Sequence, residues 1–276
     1  MQIQDKTIVI TGGAAGIGRS LGRACIEAGA AHVVLADRNG EGAMAAAAEL
    51  GPAARGTACD VSSEEDVQSL VSETLHIEGP VDIFVSNAGV TAKGGLDCSN
   101  EQWQQIWDIN VMSRVYAARA VIPGMLERGS GCIVQTASAA GLLTEIGSAP
   151  YSVTKHADLA FAEWLSVHYG RQGIEVSCVC PLGVETDMLD EEDPVHKFLY
   201  LQSITADEAA NSIIRGIEAA DFLILPHPDV LEFFQRKAAD YSGWLRGMQR
   251  LQQKFSAANT AGRNASQDIP ITPSPN

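Results

Sequence analysis

Tyr151 and Lys155 stand four residues apart in the run Tyr151-Ser152-Val153-Thr154-Lys155. On a helix that spacing puts both side chains on one face, about a turn apart. An ammonium held beside a phenol favours phenolate, so the tyrosine is expected to exchange a proton nearer neutral pH than its free value of about 10. A drop of about two units corresponds to roughly 2.7 kcal/mol of preference for phenolate. Such a pair suits general acid–base chemistry. The pattern is weak by itself, because exposed helices often carry the same pair without using it. The rest of the chain has to supply the context.

Upstream, Lys6-Thr7-Ile8-Val9-Ile10-Thr11 reads as a short β-branched strand. It runs into Thr11-Gly12-Gly13-Ala14-Ala15-Gly16-Ile17-Gly18 and then into a helical stretch over 19–28 closed by Gly29. Strand, glycine turn and helix in that order suit the pyrophosphate of a dinucleotide. The glycines allow close backbone approach, and the helix start offers free N–H groups and a positive dipole end. A second strand, His32-Val33-Val34-Leu35-Ala36, ends at Asp37, about 20 residues beyond the glycines. An acid there accepts both adenosine ribose hydroxyls and repels a 2′-phosphate.

The glycine spacing Thr-Gly-x-x-x-Gly-x-Gly, with Tyr-x-x-x-Lys downstream, resembles the short-chain dehydrogenase/reductase family, and the resemblance spans roughly residues 3–226. It implies roles for Gly12, Gly16, Ile17 and Gly18 at the pyrophosphate, and for Asp60 and Val61 at the adenine. Asn87, Ala88 and Gly89 match the family's Asn-Ala-Gly turn, and Asn110 matches its helix asparagine. Ser138, thirteen residues before Tyr151, stands where the family's catalytic serine does. After the sixth strand the family's Pro-Gly-x-Val-x-Thr is here Pro181-Leu182-Gly183-Val184-Glu185-Thr186. Pro181, Val184 and Thr186 keep their places for the nicotinamide amide, while Leu182 replaces a glycine.

The resemblance implies hydride transfer between nicotinamide and an alcohol or carbonyl carbon. Ser138 would orient the substrate oxygen, and Tyr151 would take or give the proton. Lys155 would hold the nicotinamide ribose and lower the Tyr151 pKa, while Asn110 would hold a water joining Lys155 to solvent. Asp37, with Ala15 where phosphate-binding members carry a basic residue, favours NAD over NADP. Arg38 is the residue that could instead embrace a 2′-phosphate. A homo-oligomer, tetramer or dimer, is expected on the helices around 101–128 and 150–170.

Strands near 6–11, 31–36, 55–59, 81–86, 131–137, 174–180 and 222–226 alternate with helices. This predicts one α/β domain over 1–228, a doubly wound, Rossmann-type parallel sheet of seven strands with helices on both faces. A long amphipathic helix is expected over 229–255, with Leu231, Phe234, Ala238, Tyr241, Leu245, Met248, Leu251 and Phe255 at three-and-four spacing. It would pack on its own subunit or on a neighbour. The Ala/Asn/Ser/Pro/Thr-rich tail over 256–276 reads as disordered.

A formal charge of −15 argues against nucleic-acid and anionic-membrane partners. No apolar run reaches the roughly 20 residues of a membrane span, and the first residues lack signal-peptide character, so a cytoplasmic location is expected. The six cysteines include no Cys-x-x-Cys and suit a reducing compartment. The scattered histidines predict no metal.

The substrate pocket is expected along 90–96, 139–146 and 184–201, whose Leu142, Leu143, Ile146, Met188, Leu189, Phe198, Leu199 and Tyr200 suit an apolar or aromatic secondary alcohol. The acidic run Leu189-Asp190-Glu191-Glu192-Asp193-Pro194 reads as a solvated lid. Two alternatives stay open. An NADPH-dependent 3-oxoacyl-carrier reductase would need a basic docking face, against which the net charge speaks. A non-catalytic NAD-binding scaffold is opposed by the intact set of Asn110, Ser138, Tyr151 and Lys155.

Overall fold

The computed structural model describes residues 1–188 and 203–267, with side chains as far as 256. Seven strands form one parallel sheet: β1 (Thr7–Thr11), β2 (His32–Asp37), β3 (Ala54–Ala58), β4 (Ile83–Ser86), β5 (Gly131–Thr136), β6 (Ile174–Val179) and β7 (Leu223–Ile224). Their order is β3-β2-β1-β4-β5-β6-β7, the doubly wound arrangement expected. The chain reverses direction across the sheet between β1 and β4, and a crevice opens there at the carboxyl ends of the strands.

Both faces are covered because side chains alternate along each strand. Ile8 and Ile10 of β1 join Val33, Leu35, Ile83, Val85, Cys132 and Val134 in one core layer, under Leu21, Ala46, Ala47 and Ile213. The last four lie on α1 (Gly16–Glu27), α2 (Gly40–Leu50) and the helix Ala206–Glu218. Val9, between the two isoleucines, joins Val34, Phe84 and Ile133 in the other layer. That layer lies against α3 (Glu64–Ile77), α5 (Ser113–Arg128) and α7 (Ala149–Tyr169). Ahead of α5 comes α4 (Asn100–Trp107), joined to it by a π-helical turn over Asp108–Met112. A short α6 (Ala139–Leu143) follows β5, and the helix Ala206–Glu218 is α8.

The C-terminal helix differs from the single rod expected. It is two helices, α9 (Asp229–Ala239) and α10 (Tyr241–Gln267), broken at Asp240. The Asp240 carboxylate accepts from the Gly243 N–H at 2.8 Å, so an aspartate suited to N-capping starts a new helix. Both helices fold back on their own chain, with Val230 fully buried and Phe233, Phe234 and Trp244 packed against the core. Helix α10 also runs on to Gln267, past the composition change at residue 256. The alanines interspersed there have high helix propensity. Residues 268–276, and the acidic run 189–194 with Phe198, Leu199 and Tyr200, lie outside the described residues. Among the described residues no helix is long and apolar enough to cross a membrane.

Candidate active site

The turn after β1 makes the crevice floor. Gly12 has φ +68°, and a Cβ there would stand 2.9 Å from the Ala88 Cα, so only glycine lets the β1 and β4 turns meet. A Cβ on Gly18 would overlap the Gly12 carbonyl oxygen. Gly18 therefore serves packing of helix on turn and does not itself face the crevice. Ala15, ahead of α1, offers no side-chain cap, which leaves the first-turn N–H groups of the helix to an anion. Asn87 ties the two turns together, donating from Nδ2 to Thr11 O at 3.1 Å.

A cleft of about 320 Å³ opens above this floor, bounded by Gly12, Gly16, Ile17, Asp37, Asn87, Ala88 and Gly89 on one side. Ser138, Tyr151, Lys155, Pro181, Val184 and Thr186 bound it on the other. Asp60 and Val61 line an adjoining chamber with Asp37 and Arg38. There the Ser62 hydroxyl and N–H, at 2.6 and 2.9 Å, hold the Asp60 carboxyl below the usual carboxylate range. The Asp37 carboxylate accepts from the N–H groups of Ala14 at 3.2 Å and Asn39 at 2.9 Å, which anchors it at the cleft edge. This shape and donor set fit a dinucleotide.

Local chemistry sets the position of Tyr151. Ser148 caps α7, accepting from the Tyr151 N–H at 3.1 Å, and Pro150 sits in the first turn, where a missing N–H costs nothing. Tyr151 and Lys155 then share one face, with the Lys155 Nζ 5.6 Å from the phenol ring centre. Ser138 caps α6 in the same way, accepting from the Ala140 N–H at 3.1 Å. Asn110 is buried in the π-helical turn, a distortion that recurs at functional sites. Its amide donates to Val90 O at 2.9 Å and Thr154 Oγ1 at 3.2 Å, and its oxygen accepts from the Val90 N–H at 2.9 Å. It thus braces the wall beside Lys155 and makes no direct bond to the ammonium.

The protein's own groups do not acidify the phenol. Burial pushes the Tyr151 pKa up, Glu145 and Asp158 add to that, and only the Ser138 hydrogen bond and Arg114 oppose it. Removal from water outweighs the nearby cations. Burial also lowers Lys155 to about 8, with Asp158 pulling the other way. The ammonium donates to Thr136 O at 2.7 Å.

A charged pair here escaped the sequence reading. Arg114 and Asp158 form a fully buried ion pair, Nε to Oδ2 at 3.3 Å, with the Lys155 Nζ 3.6 Å from the same oxygen. Asp158 lies three residues after Lys155, on the same helix face; an acid at that position was a readable signal. Leu182, where the family has a glycine, lines both the cleft and the cavity beyond it, and its N–H donates to His227 Nδ1 at 3.2 Å. Cys178 and Cys180 are fully buried, with their sulfurs 4.0 Å apart, as packing residues should be.

Beyond Ser138 lies a second cavity, of about 740 Å³. Its inner wall includes Ala139, Leu143 and Ile146, as expected, together with Leu182, which was not; Leu142 is instead buried in the core and Met188 lines the cofactor cleft. Its outer wall is Phe233, Trp244, Met248, Leu251 and Phe255, from the C-terminal helices. The stretch 90–96 contributes less than expected. Thr91 faces the cofactor cleft, Gly94 and Gly95 a third cavity, and Leu96 is wholly exposed.

Residues 6–196 match the family described as short chain dehydrogenase. The chain is 32% identical over 236 residues to 1-deoxy-11-beta-hydroxypentalenate dehydrogenase of Streptomyces avermitilis, covering 83% of this chain and 87% of the relative. It is 37% identical over 190 residues to 2,5-dichloro-2,5-cyclohexadiene-1,4-diol dehydrogenase of Sphingobium indicum, covering 68% and 76%. Among solved structures, a short chain dehydrogenase/reductase from Burkholderia phymatum in complex with NAD superposes with a TM-score of 0.80 at 28% identity, covering 87% of this chain and 95% of that one.

Proposed function

The chain belongs to the short chain dehydrogenase family, and on that premise we propose that it is an NAD-dependent dehydrogenase interconverting a bulky hydrophobic secondary alcohol and its ketone. One observation carries the reading: Ser138 lines both the dinucleotide-shaped cleft and the apolar cavity, with Tyr151 and Lys155 on the cleft side. A substrate carbon held at that shared wall meets the proton-transfer groups and the cofactor together.

Bound NAD supplies the hydride acceptor and a positive ring beside the phenol. Ser138 orients the substrate oxygen by a hydrogen bond. Tyr151 takes the hydroxyl proton as the alcohol is oxidised, or returns it in reduction. The phenol, raised by burial and desolvated, needs cations to act as a base, and Lys155 together with the nicotinamide ring provides them. Lys155 would also donate to the nicotinamide ribose hydroxyls. Asn110 keeps the Val90 and Thr154 walls in register around it and would hold a water between Lys155 and solvent. Val184 and Thr186 would receive the nicotinamide amide, and Asp37 the adenosine ribose.

Asp37 at the cleft edge and Ala15 in the glycine turn favour NAD, in keeping with the NAD complex of the Burkholderia relative. The two dehydrogenases named above, one of a hydroxylated pentalenate and one of a cyclic diol, agree with an alicyclic alcohol. Val153, Trp164 and Val167 are exposed along one face of α7, which suits a homo-oligomer contact.

The test is turnover of cyclohexanol, 2-tetralol and a tetracyclic hydroxysteroid, with NAD and NADP in parallel. The two larger alcohols should react faster than cyclohexanol, with NAD preferred. Tyr151→Phe should lose about 10³-fold in kcat while still binding NAD. Preference for NADPH with 3-oxoacyl thioesters would support the carrier reductase instead, and NAD binding without any turnover would support the scaffold.

A further inference from the structure

Beneath the Tyr151–Lys155 pair lies a cluster of charge that proton transfer does not require. The Arg114 and Asp158 side chains are 1% and 0% exposed, and that of Lys155 is 4%. One oxygen of Asp158 accepts from Arg114 Nε at 3.3 Å and stands 3.6 Å from the Lys155 Nζ. The other accepts from the Gln135 amide at 2.9 Å, once that amide is turned to suit its neighbours. Arg114 Nη1 reaches Ala88 O at 2.7 Å, Ile109 O at 3.0 Å and Ser113 Oγ at 2.8 Å. Its Nη2 stands 3.5 Å from Thr136 O, the acceptor that also takes the Lys155 ammonium at 2.7 Å. Arg114 therefore spans both walls of the cofactor cleft, the turn at Ala88 and the strand end at Thr136.

Stability alone does not call for this arrangement. Three buried charges carry a large desolvation cost, and apolar side chains of similar volume in place of a buried ion pair are often neutral or stabilising. The distances suggest a different use. At 3.6 Å the carboxylate attracts the ammonium but does not bond it, because Arg114 and Gln135 occupy its oxygens. Lys155 stays on Thr136 O, at the cleft wall.

We propose that Asp158 and Arg114 are positioning residues for Lys155: the carboxylate keeps the buried ammonium charged, and the guanidinium keeps the carboxylate from capturing it. The groups facing Lys155 are Asp158 and Tyr151 on α7, Arg114 on α5, and Cys178 and Cys180 at the end of β6, with Glu145 near the phenol. Burial already lowers Lys155 to about 8, Asp158 raises it and Arg114 lowers it. Removing the acid must then move its proton loss to lower pH, and removing the guanidinium must move it to higher pH. That opposition of sign separates the device from a purely structural pair.

The chain has six lysines, so a full-length protein labelled with [13Cε]lysine gives a resolvable NMR titration. The Lys155 signal is identified by its loss in Lys155→Arg. Ligand-free and NAD-saturated protein are titrated for the parent, Asp158→Asn, Arg114→Leu and the Arg114→Leu/Asp158→Leu double variant. Asp158→Asn should lower the Lys155 midpoint by at least one pH unit. Arg114→Leu should raise it and weaken NAD binding about tenfold, because the ammonium retreats onto Asp158. The double variant should fold with an unchanged or higher Tm and titrate between the two. On 2-tetralol, Asp158→Asn should lose at least tenfold in kcat at pH 8 with KM within threefold. A midpoint within 0.3 unit of the parent in either Asp158→Asn or Arg114→Leu would overturn the proposal. So would shifts of the same sign in the two single variants. These outcomes do not depend on finding a substrate, so absence of turnover on any alcohol would count against the proposed function and leave the positioning role to the titration.

Discussion

The two halves of the site are built on different principles. The half that would hold the cofactor has a floor of backbone: the turns at Gly12 and Asn87, the uncapped start of α1, and strand ends held at fixed spacing in the sheet. The substrate half is made of side chains brought from far apart in the chain, residues 138–146 facing α9 and α10 across about 740 Å³. A buried lysine joins the substrate half to its lid of helices: Lys237 Nζ donates to Leu142 O, at the end of α6, at 2.6 Å, where a cation also favours the helix dipole. A wall of backbone tolerates almost no added atom, whereas a wall of apolar side chains tolerates exchange and changes what fits. On the proposed reading, the first half would fix the reaction and the second would select the molecule.

That contrast breaks most sharply at Gly18. Gly18→Ala drives a methyl into the Gly12 carbonyl, and overpacking of this kind costs about 1–3 kcal/mol. The expected result is a lowered Tm and a more than tenfold weaker NAD Kd by calorimetry, while competition for the apolar cavity by a non-reactive steroid is unchanged. Equal loss at both halves would mean they are not separable.

Trp244→Ala is the opposite probe. It enlarges the apolar cavity and should raise KM for a tetracyclic alcohol roughly tenfold, equivalent to about 1.4 kcal/mol, while the NAD Kd stays within twofold. A smaller alcohol such as cyclohexanol should barely respond. An NAD Kd that moved with Trp244 would tie the C-terminal helices to the cofactor.

Asp37→Ser sharpens the comparison within the backbone half. It removes a charge whose oxygens also brace Ala14 and Asn39, so NAD affinity should fall several-fold while NADP affinity rises, narrowing the preference about tenfold. Arg38, across the chamber, is the group that would greet the 2′-phosphate. An unchanged NAD/NADP ratio would show that selection lies elsewhere.

The smallest effect is on alkaline stability. Burial pushes the thiols of Cys25 and Cys132 up to about 12, against about 8.5 when unfolded. Above pH 9 the unfolded chain releases protons that the folded chain keeps, so this contribution is complete below about 8.5 and is lost as pH rises toward 12. Lys155, lowered to about 8, works the other way between 8 and about 10.4, but it is one group against at least two. Denaturant midpoints should fall from pH 9 to 10.5, and Cys132→Ala should flatten the slope by at most about 1.4 kcal/mol per pH unit. A midpoint flat across that range would remove the buried thiols from the account.

The legibility of the site in the primary structure follows the same division. Glycines 12, 16 and 18, Asp37, Ser138, Tyr151 and Lys155 act through their local backbone or a single helix face, and such geometry is written in spacing. All seven strands were readable for the same reason, since alternation and run length are local. Helix α9 ended early because one residue, Asp240, preferred capping to continuing, a competition that periodicity does not reveal. The apolar outer wall was legible as an amphipathic face but not as a cavity wall, because its partner lies more than 90 residues away.

Residue types and intervals were enough to determine the family and the parallel sheet and to bring Ser138, Tyr151 and Lys155 to one cleft, since each depends on chemistry within a turn or a strand. Tertiary structure decided the rest. It set the phenol's pKa upward by removing it from water, placed an arginine and an aspartate under the lysine, and folded the C-terminal helices over the apolar cavity. Each of these depends on what burial brings together across the sheet, and desolvation is a property of the packed molecule rather than of any segment.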